Sequence, residues 1–167
     1  MGKRSDFKRI ERDFYPTPYK AVEPLLDHLP PETTYDEPCA GEGDLIKHLT
    51  LAGHVCTASS DITDGTDARV IPKLNGEYFI TNPPWNRVLL HPIIENLSNI
   101  GPTWLLFDSD WMHTKQSREL IKRCRKIVSI GRVKWFPDTK NTGKDNCCWY
   151  LFDHLNDNPP EFYGRKA

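Results

Sequence analysis

Strand-like and helix-like segments alternate along most of the chain. Apolar residues recur at helical spacing in three segments, 22–29, 45–52 and 88–97. Candidate strands lie between and after them, at residues 33–37, 55–60, 78–81, 103–107, 127–130 and 147–152. Strands that alternate with helices predict βαβ units and therefore a mostly parallel sheet.

Local signals predict where several elements begin and end. Thr17 followed by Pro18 is typical of a helix N-cap and first helical position. Asp44 can cap the second helix, and Gly53 can end it. Residues 114–126 predict a basic helix, whereas residues 62–77 are too few for another strand with two crossover helices. We therefore expect an abbreviated sheet in that region.

The length of 167 residues indicates one domain. We expect an arm at residues 1–16, a single domain at 17–153 and a tail at 154–167, with no separate target-recognition domain. No apolar run approaches the length of a membrane span, and the charged start does not resemble a signal peptide. Five cysteines without a C-x-x-C pair favour a reducing cytoplasm over a disulfide framework. The histidines form no ligand-spaced cluster, so we predict no metal site.

Charge is segregated along the chain, although the net charge is only −1. Acidic residues cluster between Glu32 and Asp67, and basic residues gather in segments 115–126 and 132–144. Such runs are often only a solvated face, but they also suit a surface for a polyanion. The candidate nucleic-acid contacts are Lys115, Arg118, Lys122, Arg132, Lys134, Lys140 and Lys144.

A glycine loop, Gly41-Glu42-Gly43, lies between a predicted strand and a predicted helix. It lacks the third small residue of a dinucleotide-binding loop and the Gly-Lys-Ser/Thr of a P-loop. Glu37, Glu42 and Asp44 would repel a pyrophosphate, so a cationic ligand such as a sulfonium fits better than NAD or ATP. Asp61 ends the next strand and can reach the hydroxyls of a ribose, or it is an ordinary strand-end aspartate. Asp67 is a weaker candidate for the adenine amino group of the same ligand.

The turn Asn82-Pro83-Pro84-Trp85 follows the apolar strand at 78–81. The Asn82 amide oxygen and the Pro83 carbonyl can accept the two hydrogens of a planar amine and expose its lone pair. Trp85 offers a flat face for a base, worth about 1–3 kcal/mol in stacking. The alternative is a rigid loop with a buried tryptophan.

These motifs together resemble the class I S-adenosylmethionine-dependent methyltransferases, and among them the small phage-type N6-adenine DNA methyltransferases. The segments that carry the resemblance are 14–18, 37–43, Asp61 and 82–85. It implies a three-layer Rossmann-like α/β sheet, mostly parallel with an antiparallel C-terminal strand. It also implies that the catalytic turn is Asn82, Pro83, Pro84 and Trp85. The cofactor would contact Tyr15, Pro16, Thr17, Glu37, Pro38, Cys39, Gly41, Gly43, Asp61, Ile62, Asp67 and Asn82.

The acceptor stays open between several polymers. The basic segments favour nucleic acid, and the resemblance favours DNA over RNA, with a flipped adenine stacked on Trp85. Trp111 could form a wall of the base pocket or a packed lid. RNA adenine and protein glutamine are alternative acceptors, and a non-catalytic cofactor-binding partner or anti-restriction module is a further alternative. The position of Trp85 is more commonly Tyr or Phe in the family, and a homodimer could supply a missing recognition surface.

Overall fold

The computed structural model describes residues 15–166, so residues 1–14 of the predicted arm lie outside the description. In this range the chain forms three α-helices and seven strands. The helices are α1 (Tyr19–Leu26), α2 (Asp44–Leu51) and α3 (Arg87–Ile100), and the strands are β1 (Thr34–Glu37), β2 (Val55–Ser59), β3 (Tyr78–Thr81), β4 (Thr103–Asp108), β5 (Cys124–Arg132), β6 (Asn146–Phe152) and β7 (Glu161–Tyr163). None of these helices is long and apolar enough to cross a membrane.

The strands form one sheet in the order β2-β1-β3-β4-β6-β5-β7. Neighbouring strands are parallel except that β6 runs antiparallel to both β4 and β5. Residues of α1 and α2 pack on one face of the sheet, and residues of α3 pack on the other. The predicted three-layer, mostly parallel sheet with an antiparallel C-terminal strand is confirmed.

The connection between β2 and β3 contains only a short 3₁₀ turn, Ile62–Asp64, as its abbreviated length predicted. The carboxylate of Asp36 on β1 holds the end of this connection that leads into β3. It accepts hydrogen bonds from the backbone amides of Asn75 at 2.8 Å and Gly76 at 3.1 Å. Only glycine fits at position 76, because a Cβ there would lie 2.7 Å from the backbone nitrogen of Tyr35. Asn96 on α3 donates to two backbone carbonyls of the same connection. The connection is therefore held by both β1 and α3.

The basic helix predicted over residues 114–126 is wrong. The segment forms 3₁₀ turns at Lys115–Ser117 and Leu120–Arg123, and β5 already begins at Cys124. The hydroxyl of Ser117 donates to backbone carbonyls of the preceding turn, and Arg123 donates to the carbonyl of Glu95 on α3. These contacts stabilise tight turns that pack on α3, in place of a continuous helix.

Two predicted helix starts also differ from the structure, and one strand was not predicted. Helix α1 begins at Tyr19 with Pro18 as its N-cap, so Thr17 does not cap it. Helix α2 has Gly43 as its N-cap, and Asp44 is its first helical residue. Strand β7 lies in the predicted tail, where the sequence analysis expected no strand. It pairs with β5 although all three of its residues are exposed.

Candidate functional site

A cleft of about 440 Å³ opens at the carboxyl ends of β1, β2 and β3. Parallel sheets commonly bind ligands at this edge, which we call the site edge. The volume lies within the usual range for small-molecule sites. The lining residues come from the start of the described chain, the glycine loop, the β2–β3 connection, the Asn-Pro-Pro-Trp turn and α3, and they are Tyr15, Pro16, Thr17, Glu37, Pro38, Cys39, Ala40, Gly41, Glu42, Asp44, Leu45, Asp61, Ile62, Thr63, Thr66, Asp67, Ala68, Arg69, Asn82, Pro84, Leu89 and Ile93.

The glycine loop is tied directly to Asp61. One carboxylate oxygen of Asp61 accepts from the Gly41 amide at 2.9 Å. The other accepts from the backbone amide and the hydroxyl of Thr63, both at 3.0 Å. Gly43, the N-cap of α2, has a φ of +87°, a conformation that favours glycine. Asp61 therefore braces the loop and also borders the cleft.

Glu37 is a buried carboxyl group that lines the cleft, with only 2% of its surface exposed. One of its oxygens accepts from the Cys39 amide at 2.9 Å. Burial raises the pKa of Glu37 to about 8, and the hydrogen bond from the Cys39 amide offsets part of that rise. The group is consequently poised to lose a proton when a positive charge enters the cleft.

The cleft is acidic overall. Glu37, Glu42, Asp44, Asp61 and Asp67 line it, against the single cation Arg69. Arg69 is already engaged, because its guanidinium lies 2.6 Å from Asp67 and lowers the pKa of that carboxyl group. An adenine amino group at Asp67 would have to share the carboxylate with Arg69. This charge pattern suits a ligand with positive charge and disfavours a pyrophosphate.

The Asn-Pro-Pro-Trp turn follows β3 directly. Asn82 and Pro84 line the cleft, whereas Pro83 is buried. The Asn82 amide nitrogen donates to the Thr17 hydroxyl at 3.3 Å. This contact spans 65 residues of sequence and explains why Thr17 is buried at the site instead of capping α1.

Trp85 is half-buried, and its ring packs against the apolar clusters on both faces of the sheet. Its indole nitrogen donates to the Asn82 amide oxygen at 3.3 Å and to the Leu106 carbonyl at 3.1 Å. The ring meets Trp135 edge-on at a centroid distance of 5.6 Å. Tyr15, which does line the cleft, packs against both Trp135 and Phe136.

Comparison with solved structures shows which fold carries this site. A proposed RNA methyltransferase from Pyrococcus horikoshii superposes with a TM-score of 0.63 at 14% identity, covering 90% of this chain and 92% of the other. A modification subunit of a proposed type I restriction enzyme from Vibrio vulnificus gives 0.58 at 11% identity, covering 92% of this chain and 47% of the other. A proposed class I S-adenosylmethionine-dependent methyltransferase from Listeria monocytogenes gives 0.54 at 11% identity, with coverages of 89% and 63%.

The chain has the class I methyltransferase fold. It spans nearly all of the Pyrococcus protein but only about half of the Vibrio subunit. No protein-family model and no curated protein matches the sequence.

The methyltransferase fold separates the predicted basic residues into two groups. The end of β5 and the β5–β6 loop that follows it carry Arg132, Lys134, Lys140 and Lys144. It lies at the site edge, because the register sets Asp108, the last residue of β4, opposite Cys147 near the start of β6. Cys124 lies at the other edge, since it pairs with Phe152, which in turn pairs with Thr103 at the start of β4.

The segment 115–123 therefore runs from the site edge towards the opposite edge. Lys115, Arg118 and Lys122 are exposed, and Lys122 lies two residues before Cys124 and pairs with Glu119 at 2.8 Å. The structure thus does not bring Lys122 to the site edge with the β5–β6 loop. Trp111 is wholly buried, and its indole nitrogen donates to His91 at 2.9 Å. It is a packed residue and presents no face to a base.

The sequence analysis missed an ion pair beside the turn. Arg87, the first residue of α3, makes two parallel hydrogen bonds to Asp108, at 2.9 and 3.0 Å, and also donates to the Trp85 carbonyl at 3.2 Å. It also missed Leu89 and Ile93, which give the cleft an apolar wall. Their spacing on a helix that follows the turn was the available signal. Within residues 15–166 no cluster of His, Cys, Asp and Glu could hold a metal ion.

Proposed function

We propose that the protein transfers a methyl group from S-adenosylmethionine to the N6 amine of adenine in DNA. One observation carries this proposal: Asn82 opens into the same cleft as the glycine loop and Asp61. The turn that can accept an amine and the residues that suit a cationic nucleoside therefore border the same cleft.

The residues of the cleft fit S-adenosylmethionine, which would supply an activated methyl group on a positively charged sulfur. The lining carboxyl groups of Glu42, Asp44, Asp61 and Asp67 favour that charge, and Glu37 can lose its proton in response to it. Asp61 borders the cleft and is fixed there by its hydrogen bonds from Gly41 and Thr63. It would hold the ribose hydroxyls. Leu89 and Ile93 would cover the apolar parts of the ligand.

Asn82 would hold the acceptor amine. Its amide oxygen accepts from Trp85 and keeps a second lone pair for one hydrogen of the target amine. No strongly basic group is required if the methyl carbon is already electrophilic, because alignment of the reacting atoms supplies most of the acceleration. A duplex base would have to leave the stack to reach Asn82.

Nucleic acid is supported by the basic β5–β6 loop at the site edge, where Arg132 and Lys134 are exposed. Such residues attract phosphates without reading sequence. DNA is favoured by the family resemblance and by the similarity to a restriction-system modification subunit. RNA is the alternative, since another similar structure is a proposed RNA methyltransferase. The five free cysteines suit a reducing cytoplasm.

The test uses S-adenosylmethionine with an isotope-labelled methyl group. Purified protein is incubated separately with unmethylated DNA, with RNA and with a protein lysate, and each digest is analysed by mass spectrometry. We expect labelled N6-methyldeoxyadenosine, with activity at least about 100-fold lower in Asn82→Ala, the typical effect of losing a group that stabilises the transition state. Asn86→Ala is the matched control, because Asn86 caps α3 next to the turn.

Each other outcome contradicts a stated part of the proposal. Label in RNA alone would make the protein an RNA methyltransferase, and label on glutamine would make it a protein methyltransferase. Cofactor binding without label in any acceptor would favour a non-catalytic partner subunit. Failure to bind the cofactor would remove the proposal entirely.

A further inference from the structure

A histidine on α2 holds the segment that carries Thr17. The Nε2 atom of His48 lies 3.1 Å from the Thr17 carbonyl oxygen, 31 residues away in sequence. We infer that His48 is a positioning residue, which holds the Thr17 backbone so that the Thr17 hydroxyl meets the Asn82 amide. The inference rests on the proposed function and deepens it, because it names a residue that acts on the acceptor amine through Thr17 and Asn82.

The Thr17 backbone is restricted by its neighbours, Pro16 and Pro18. A residue before proline is confined to extended conformations, and Pro18 has no amide hydrogen to donate. Because Pro18 is the N-cap of α1, the Thr17 carbonyl lies outside the hydrogen bonds of that helix. A carbonyl oxygen only accepts, so the Nε2 atom of His48 must carry a hydrogen and donate it. His48 therefore satisfies a carbonyl that the helix leaves open.

The imidazole of His48 is itself fixed by two helices. His48 lies one helical turn after Asp44, which lines the cleft at the start of α2. The side chain is half-buried, and the Tyr19 ring of α1 meets it at a steep angle with the ring centroids 5.7 Å apart. The segment before α1 is thus tied to the helix that follows the glycine loop.

The Thr17 hydroxyl links this segment to the catalytic turn. It accepts a hydrogen bond from the Asn82 amide nitrogen at 3.3 Å, while the Asn82 amide oxygen accepts from the Trp85 indole nitrogen at 3.3 Å. Both ends of the amide are held, so its oxygen faces one direction before any substrate arrives. A hydroxyl donates and accepts at the same time, so Thr17 can hold Asn82 and still donate its own hydrogen to a ligand.

The cofactor side and the acceptor side of the cleft therefore share one support. Thr17 lines the cleft beside the proposed cofactor residues, and Asn82 is the proposed holder of the target amine. Without the His48 donor, the Thr17 carbonyl loses its partner and the segment can shift. Since methyl transfer depends on alignment of the reacting atoms, a displacement of about 1 Å can cost up to about 100-fold in rate.

The experiment compares three histidine substitutions. His48→Leu removes the donor, whereas His48→Gln keeps an N–H group close to the position of Nε2. His54→Leu is the matched control, because His54 also bonds to the backbone of a threonine, its Nδ1 atom accepting from the Thr33 amide at 3.1 Å. Methylation of unmethylated DNA is measured as kcat and KM at saturating S-adenosylmethionine, the cofactor Kd by equilibrium dialysis, and folding by thermal unfolding.

We expect a loss of rate that is specific to the His48 donor. His48→Leu should lower kcat about 10-fold, as a misaligned Asn82 would, and leave the KM for DNA within about twofold. His48→Gln should recover most of the lost kcat. His54→Leu should lower thermal stability and keep its kcat, because Thr33 does not contact the turn.

Several results would overturn the inference. An unchanged kcat in His48→Leu would do so even if the cofactor Kd rises, since His48 would then serve the cofactor side alone. An equal loss in His54→Leu would show a general effect of lost stability, and no recovery in His48→Gln would exclude the hydrogen bond as the cause. If His48→Leu does not fold, His48→Asn takes its place, because its shorter amide ends before the position of Nε2. An unchanged kcat in that variant also overturns the inference.

Failure of the proposed function gives a different pattern. In that case the native protein methylates no DNA. The positioning role is still tested by NMR, since the side-chain amide resonances of Asn82 should shift in His48→Leu and stay in place in His54→Leu. Unmoved Asn82 resonances in His48→Leu would contradict the role of His48 on their own.

Discussion

The two halves of the sheet differ in what they bury. The half made by β2, β1 and β3, which we call the cleft half, buries carboxyl and hydroxyl groups such as Asp36, Glu37 and Thr81. The half made by β4, β6 and β5, which we call the aromatic half, buries a stack of rings. In this stack the ring centroids of Phe107 and Tyr150 are 4.2 Å apart. The cleft half can contact a polar ligand because the cleft opens at the ends of its strands. The second supplies the rigid support on which the turn is anchored.

Adjacent carboxyl groups on β1 show that burial alone does not make a site. Asp36 accepts hydrogen bonds from Thr57, Asn75 and Gly76, so its acceptors serve the fold. Glu37 faces the cleft and receives one backbone donor, from Cys39. A buried acid with partners on every side is structural, whereas one that borders a cleft is available to a ligand.

The largest effect is expected in the aromatic half. Phe107→Ala should lower the free energy of unfolding by about 3–5 kcal/mol, because it removes a wholly buried ring and leaves a cavity. Urea denaturation followed by circular dichroism measures this change. Phe162→Ala is the control, since Phe162 is 66% exposed and should cost less than about 0.5 kcal/mol. A similar small cost in both variants would show that the aromatic half is not the stable one.

A pH dependence is expected from the cleft half. Burial raises the pKa of Glu37 from 4.5 to about 8, so folding favours its protonated form. The stabilisation is complete below the unfolded pKa and is lost as pH rises through the folded pKa. From this group the free energy of unfolding should fall by about 2 kcal/mol between pH 6 and pH 8. Thermal and urea unfolding of the native protein should show this fall, and Glu37→Gln should remove it.

The control for this pH dependence is Glu42→Gln. Glu42 lies in the same loop but is exposed, so its substitution should leave the pH dependence intact. Parallel curves for the native protein and Glu37→Gln would show that Glu37 ionises normally, and the contrast with the structural Asp36 would lose its electrostatic basis.

The sequence predicted the cleft half better than the segment that leads to β5. β3 was predicted with its observed bounds and β1 within one residue, since apolar strands with polar ends leave a local signal. Residues 114–126 carry many cations, but Ser117 donates to the Thr114 carbonyl of the preceding turn and Arg123 donates to the Glu95 carbonyl on α3. These contacts fold the segment into turns. β7 gave no signal because its three residues are exposed and it exists only through pairing with β5.

Some of the residues that line the cleft could also be predicted from the sequence. Strand ends put Glu37, Asp61 and Asn82 at one edge, which the topology of parallel sheets dictates. The orientation of the Trp85 indole could not be predicted from the sequence, because its hydrogen-bond partners include the Leu106 carbonyl, 21 residues away. Thr17 is a similar case, since its hydroxyl meets Asn82 and not its own helix.

A third prediction sharpens the role of Asp61. Asp61→Asn should weaken S-adenosylmethionine binding about 10-fold or more, because a hydrogen bond to a charged acceptor is worth about 1.5–3 kcal/mol. Equilibrium dialysis measures the Kd. Asp64→Asn is the matched control, as Asp64 lies in the same 3₁₀ turn and is exposed. A Kd within twofold of the native value would show that Asp61 serves the fold and does not bind the cofactor.

The smallest effect tests which edge of the aromatic half meets nucleic acid. The double variant Arg132→Gln and Lys134→Gln should weaken DNA binding severalfold and reduce the slope of log K against log salt by about 0.9 for each phosphate that is no longer neutralised. Fluorescence anisotropy at several salt concentrations measures both. Lys122→Gln removes a cation near the opposite edge and should leave the slope unchanged. An equal reduction in Lys122→Gln would place the DNA along α3, and the division between a site edge and a remote edge would then fail for the polymer while still holding for the cofactor.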